Sequence, residues 1–160
     1  RYPNAVLVIA GQGPSIYAIT QEAWRHGIRN QVRLLEGLSD EEISGLYQVC
    51  DVFALPTSEA PSSHHGQVEG FGLVFIEAGA HGKPVVAGRS GGVVDAVRDG
   101  ETGLLVEPND PDALAGAILS LLDHPDHARE LGENGRRRAE TELNWMVFAR
   151  RLLEIAGTTP

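Results

Sequence analysis

The sequence predicts an α/β fold built on a doubly wound parallel sheet. Short, continuous apolar runs such as Ala5-Val-Leu-Val-Ile-Ala10 are typical of strands that are buried on both faces of a parallel sheet. Segments of about ten or more residues with helical periodicity separate these runs. Strands that alternate with helices in this way form right-handed crossovers, and 160 residues suffice for one such domain.

The first third of the chain contains three predicted strands and two predicted helices. The first strand ends at the turn Gly11–Pro14, and a capping box at Ser39 and Glu42 begins the second helix. Ile43, Leu46, Tyr47 and Cys50 then recur at helical spacing. In order, the elements are a strand over 5–10, a helix over 15–26, a strand over 32–35, a helix from 40 and a strand over 51–55.

A glycine turn opens the next predicted helix after a long irregular loop, 56–68. Gly70-Phe71-Gly72 fits poorly inside a regular element, and the pattern becomes helical from Leu73. Gly82 ends this helix at the position that a left-handed C-cap favours.

The remaining elements repeat the alternation and end in helices. Asp110 is a predicted N-cap with Pro111 at the first helical position. The predicted elements are a strand over 84–87, a turn at 90–92, a short helix to 98, a strand over 103–106, and helices over 112–123, 126–141 and 144–156.

Composition and charge exclude several classes of function. The chain is 42% hydrophobic and 22% charged, as in ordinary globular proteins, and no apolar run approaches a membrane span. A net charge of −9 argues against a nucleic-acid partner. With Cys50 as the one cysteine, we expect a reducing, cytoplasmic environment. Because the chain opens at Arg1, we expect it to be a piece of a longer protein.

The predicted site lies where parallel strands end. Ligands of such sheets bind beyond the carboxyl ends of the strands, which would place Glu69, the Gly70–Gly72 turn and residues 90–92 on one rim. A helix beginning at Leu73 suits phosphate, and a carboxylate beside it suits a ligand that also carries hydroxyls. A dinucleotide fingerprint is disfavoured because Ile16 occupies the place of its third glycine.

Six motifs in fixed order carry a resemblance to a known family. They are G-Q-G-P (11–14), D-V-F-A-L-P-T (51–57), E-G-F-G-L-V-F-I-E-A (69–78), G-K-P-V-V-A (82–87), S-G-G (90–92) and D-G-x-T-G-L-L-V (99–106). Over nearly its whole length the chain resembles the C-terminal, donor-binding domain of retaining GT-B glycosyltransferases of family 4 (group 1). Glu69 and Glu77 resemble that family's E-x7-E motif. The resemblance implies a Rossmann-like sheet, the C-terminal half of a GT-B architecture, followed by C-terminal helices.

The resemblance implies transfer of a sugar from a nucleotide diphosphate sugar with retention of anomeric configuration. It assigns Glu77 to the two ribose hydroxyls and Glu69 to catalysis beside the donor sugar. A plain helix residue or a partner of a structural arginine remains the alternative for Glu77, and a loop carboxylate without a ligand for Glu69. The other donor-binding positions that the resemblance implies are Gly70, Phe71, Gly72, Leu73, Val74, Leu38, Gly91 and Gly92. Core packing remains the alternative for Phe71, and a need for the turn alone for the glycine pair at 91–92.

The resemblance also implies partners and missing parts. No cofactor and no metal are expected, and the sugar nucleotide is the substrate. An N-terminal acceptor-binding domain, through which the enzyme would associate peripherally with a membrane, is expected outside these 160 residues. The first strand–helix unit, with its diphosphate-binding arginine and lysine, would precede Arg1, so the isolated chain is expected to be inactive. The alternatives are a GT-B sugar-nucleotide epimerase, which the run 69–78 disfavours, and a non-catalytic nucleotide-binding module.

The expected loss of that first strand makes a prediction about the sheet. In the strand order 3-2-1-4-5-6, the first strand lies between the second and the fourth, which correspond here to 5–10 and 51–55. Unpaired buried backbone groups are costly, so we expect a strand from outside this numbering, another chain, or closure of the sheet to fill the gap.

Overall fold

A computed structural model describes residues 2–57 and 70–157, which divide into two units, Arg1–Leu46 and Tyr47–Pro160. The first unit holds a parallel two-stranded sheet. Its strands are β1 (Leu7–Ala10) and β2 (Val32–Leu35), paired in the register Leu7 to Val32. Between them lie α1 (Ile16–Arg25) and a 3-10 turn (Arg29–Gln31).

The second helix, α2 (Asp40–Val49), begins at the predicted capping box. The backbone N–H of Ser39 donates to Oε2 of Glu42 at 2.8 Å, and the N–H of Glu42 donates to Oγ of Ser39 at 3.3 Å. The Oγ hydroxyl of Ser39 also donates to Oε2 of Glu42, at 2.9 Å. The two bonds that Ser39 donates to this carboxylate, the backbone bond first, lower the pKa of the Glu42 carboxyl because they stabilise its charged form. The first residues of α2 belong to the first unit, and the helix continues into the second from Tyr47.

The expectation that the first strand is buried on both faces is wrong. Three of the four residues of β1 are exposed, and Leu7 retains 54% of its accessible surface. The physical reason is the size of the unit. In its described residues β2 is the one strand that pairs with β1, and a small unit buries a small share of its surface. A continuous apolar run therefore indicated the strand correctly but not its burial.

The second unit holds a parallel three-stranded sheet in the order β3-β4-β5. The register places Phe53 opposite Val85, and Val86 opposite Leu104. Its elements are β3 (Phe53–Leu55), α3 (Leu73–Ala80), β4 (Val85–Gly88), α4 (Val93–Ala96), β5 (Leu104–Val106), α5 (Pro111–Asp123), α6 (Pro125–Thr141) and α7 (Trp145–Ile155). All elements fall close to their predicted positions, and the α/β class with a parallel sheet is confirmed.

The core of the second unit lies around the central strand. Every residue of β4 is buried, and Val86 packs with Leu121 of α5 and Leu131 of α6. The predicted cap of α5 is present, because Oδ1 of Asp110 accepts from the N–H of Ala113 at 2.8 Å. Burial of this cluster fixes β4 and thereby the loop that follows its carboxyl end.

No strand fills the predicted gap within residues 2–57 and 70–157. There β1 pairs with β2 alone and β3 with β4 alone, so closure of the sheet by direct pairing of the two strands is absent from the described residues. A strand from outside this numbering or from another chain remains the prediction.

Candidate functional site

The helix α3 begins at a glycine in a left-handed conformation. Gly72, its N-cap, has φ 80° and ψ 57°, a backbone conformation that residues other than glycine rarely adopt. The carbonyl oxygen of Gly72 accepts from the N–H of Phe75 at 3.0 Å. The turn that opens α3 therefore depends on glycine at this position, as the sequence predicts. Glu69, the proposed catalytic residue, lies outside the described residues.

The start of α3 lies partly at the surface, with Leu73 exposed. The first N–H groups of an α-helix have no partner within the helix, and the helix dipole adds partial positive charge there. Leu73 is exposed, Val74 is partly buried, and Phe71 keeps 38% of its surface. Full burial in the core is thus excluded for Phe71. The arrangement suits an anion that approaches the helix along its axis.

Glu77 lies one turn further along α3, with an exposed side chain. The Oη hydroxyl of Tyr47 donates a hydrogen bond to its Oε2 at 3.1 Å. Within the described parts of the chain, no arginine or lysine forms an ion pair with this carboxylate. Among the described residues, Glu77 is therefore not the partner of a structural arginine, which was one alternative for it.

Tyr47 is held from several sides. It is 7% exposed, and its ring stacks on His81 with centroids 5.3 Å apart and lies 5.4 Å from that of Phe53. His81 in turn donates from Nδ1 to the carbonyl oxygen of Glu77 at 2.8 Å. Burial first, and then the neighbouring Glu77 carboxylate, raises the pKa of the Tyr47 hydroxyl. Tyr47 therefore remains a neutral proton donor to Glu77 at physiological pH.

A second glycine turn touches the first. A Cβ on Gly92 would lie 2.0 Å from the carbonyl oxygen of Gly70 and 3.1 Å from Cα of Phe71. Gly91 beside it is exposed. The structure thus brings the 70–72 and 90–92 turns together on one rim, as predicted for these two. The contact with Gly70 is a second structural reason for glycine at position 92, and the roles of Gly91 and Gly92 in donor binding stay predictions.

Two hydroxyl side chains support this rim: that of Ser90, which the sequence already placed there, and that of Thr57, which sequence analysis missed. Buried Ser90 donates from Oγ to Oγ1 of Thr57 at 2.9 Å, and Thr57 donates to the carbonyl oxygen of Gly88 at 2.9 Å. Beyond the carboxyl ends of β3, β4 and β5 lies an open pocket of about 360 Å³, lined in part by Thr57 and Glu107. The only signal for Thr57 in the sequence was its place in the D-V-F-A-L-P-T run.

Leu38 lies in the first unit, partly buried and directly before the Ser39 cap of α2. Its role in donor binding stays a prediction. Across the described ranges 2–57 and 70–157, no three His, Cys, Asp or Glu side chains are grouped so that they could hold a metal ion. No helix there has both the length and the apolar character needed to cross a membrane.

Solved structures define the class of this fold. Sucrose-phosphate synthase from Thermosynechococcus elongatus superposes with a TM-score of 0.80 at 32% identity, over 96% of this chain and 38% of that one. Anabaena Alr3699/HepE in complex with UDP-glucose superposes with a TM-score of 0.83 at 27% identity, over 98% of this chain and 42% of that one. The fold is that of the C-terminal domain of a GT-B glycosyltransferase.

Sequence comparison then gives the family. The model of the family described as glycosyl transferases group 1 matches residues 1–138, so the chain belongs to that family. It is 37% identical over 155 residues to the GDP-mannose-dependent alpha-(1-6)-phosphatidylinositol monomannoside mannosyltransferase of Mycolicibacterium smegmatis. That match covers 97% of this chain and 40% of the relative. The chain thus spans less than half the length of this curated relative.

Proposed function

We propose that this chain is the donor-binding part of a retaining glycosyltransferase of family 4, which transfers a sugar from a nucleotide diphosphate sugar to an acceptor. The observation that carries the proposal is the placement of two ligand-binding features on one helix. The N-terminus of α3 is opened by the Gly72 turn, and the exposed carboxylate of Glu77 follows on the same helix.

The spacing of these features suits a nucleoside diphosphate. Leu73 and Glu77 are four residues apart, which corresponds to about 6 Å along a helix axis. The ribose hydroxyls and the diphosphate of such a ligand are separated by a similar short span. The two oxygens of Glu77 can each accept one O–H of the vicinal diol, while the N–H groups of Leu73 and Val74 face the diphosphate.

The donor sugar lies beyond the diphosphate, on the other side of the turn, in this proposal. Backbone amides at the start of α3 stabilise the charge that develops on the departing diphosphate, and they do so without reorganisation because the helix is already formed. Glu69 lies one residue before Gly70, where its carboxylate stabilises positive charge on the sugar or holds its hydroxyls. Retention follows from the E-x7-E resemblance, and we name no nucleophile.

The rest of the enzyme completes the cleft. We propose that an N-terminal acceptor domain supplies the acceptor site and associates peripherally with a membrane, that the reaction takes place in the cytoplasm without a metal ion, and that the isolated chain is inactive. The name of the Mycolicibacterium relative, whose acceptor is a phosphatidylinositol mannoside, supports a lipid-linked acceptor at a membrane surface.

The experiment uses the intact enzyme and two donors that the relatives name, GDP-mannose and UDP-glucose. Calorimetry is expected to show binding of one of them, and the anomeric coupling in the NMR spectrum of the product is expected to match that of the donor. Failure of both donors to bind, or a product of inverted configuration, would contradict the proposal. Conversion of the donor sugar to its epimer in the absence of an acceptor would instead indicate the epimerase.

A further inference from the structure

We propose that Tyr47 is a positioning residue, which orients the Glu77 carboxylate for the ribose diol of the donor nucleotide. The inference rests on the proposed function, since it assigns a second residue to the same site. It starts from the contact between the Tyr47 hydroxyl and Oε2 of Glu77 at 3.1 Å.

Among the described residues, two acceptors lie within reach of the one proton of this hydroxyl. Oε2 of Glu77 is 3.1 Å away, and the carbonyl oxygen of Val74 is 3.4 Å away. The carboxylate is both closer and charged, so it is the stronger acceptor. Val74 lies inside α3, where its carbonyl oxygen already has the N–H four residues further on as a partner. The proton of Tyr47 therefore serves Glu77.

The bond fixes an exposed carboxylate from a buried anchor. The Tyr47 ring is confined between Phe53 and His81, so its hydroxyl has a set position, whereas the Glu77 side chain by itself would sample several rotamers. An ionised carboxylate has about four lone-pair sites, and Tyr47 occupies one of them. The remaining sites stay available to both ribose hydroxyls. Because the Glu77 side chain is already ordered before the ligand binds, binding loses less conformational entropy.

A purely structural role makes a different prediction. If the bond served only to tie Tyr47 to α3, its loss would loosen the helix and weaken the binding of every ligand at α3 to the same extent. If the bond orients Glu77, its loss weakens the binding of only those ligands that carry the ribose diol. Ribonucleotides and their dideoxy counterparts separate the two roles.

The test is the Tyr47→Phe variant of the intact enzyme, which keeps the buried ring and removes only the hydroxyl. Calorimetry is carried out with GDP and UDP and with their 2′,3′-dideoxy counterparts. Affinity for the ribonucleotide that binds is expected to fall about three- to tenfold, the range for loss of one hydrogen bond, and affinity for the dideoxy form to stay unchanged. Tyr17→Phe makes the same change on a tyrosine that is 74% exposed and is expected to alter neither affinity.

Two further variants keep this inference separate from the proposed function. Glu77→Ala is expected to remove the preference for ribose, and Tyr47→Phe added to it is expected to have no further effect. If Tyr47→Phe lowers the affinity for both nucleotide forms equally, or lowers neither, the role of Tyr47 is overturned. The proposed function is still supported in that case if Glu77→Ala removes the preference for ribose. An intact ribose preference in Glu77→Ala, or no binding of GDP and UDP by the unmodified enzyme, would overturn both.

Discussion

The backbone of Gly92 packs directly on the carbonyl oxygen of Gly70, so that a Cβ at position 92 would lie 2.0 Å from that oxygen. This contact joins the turn that opens α3 to the turn that opens α4. Since the first turn presents the amides that we propose for the diphosphate, the second turn determines where those amides point.

Gly92→Ala is expected to displace the 70–72 turn and to weaken donor binding and turnover together. Overpacking of this kind costs about 1–3 kcal/mol, and the strain falls directly on the proposed site. Steady-state kinetics and thermal unfolding of the intact enzyme check this. Gly116→Ala in α5 is the matched control, because a Cβ there meets nothing within 4 Å. Kinetics of Gly92→Ala that equal those of the control would show that the contact is unimportant.

Glu77→Ala is expected to weaken nucleoside diphosphate binding by about 1–3 kcal/mol, the range for hydrogen bonds to a charged group. Calorimetry on the folded variant measures the effect. Glu133→Ala removes an exposed carboxylate from α6 and serves as the control. A Glu77→Ala variant with unchanged affinity would remove Glu77 from the site.

Glu69→Gln is expected to lower kcat far more than it weakens binding of the free nucleoside diphosphate, because the proposed contact is with the sugar and its developing charge. The comparison needs steady-state rates with the full donor and calorimetry with the nucleotide alone. Normal turnover in this variant would exclude Glu69 from catalysis.

Arg138 of α6 is expected to stabilise the fold through α4. Its side chain is 11% exposed and donates to the carbonyl oxygens of Ala96 at 2.6 Å and Asp95 at 2.5 Å. Arg138→Ala leaves these carbonyl groups without that donor, and we expect it to lower the free energy of unfolding by about 1–3 kcal/mol. Arg137→Ala changes the neighbouring exposed arginine and provides the control in a denaturant titration. Equal stability of the two variants would contradict this role.

Local signals in the sequence predicted the local structure well. The cap at Asp110 and the stop at Gly82 depend on neighbouring residues, and both occur as expected. After Gly82, the N–H of Lys83 donates to the carbonyl oxygen of Ala78 at 3.0 Å, which closes the helix end in a Schellman arrangement. Such features need only the chain within a few residues.

Features that depend on distant residues escaped the sequence. Helical spacing placed Tyr47 on an apolar helix face but could not show that its hydroxyl reaches Glu77, 30 positions further on. The exposure of β1 was likewise hidden, because burial depends on which elements cover a strand. The approach of Gly92 to Gly70 joins two turns that only the sheet brings together.

A crystal structure of the intact enzyme with bound GDP or UDP tests the central claim most directly. We expect the two ribose hydroxyls within hydrogen-bond distance of the Glu77 carboxylate, Tyr47 still bonded to that carboxylate, and the diphosphate at the N–H groups of Leu73 and Val74. A nucleotide bound elsewhere, with Glu77 facing solvent and α3 free of phosphate, would contradict the account.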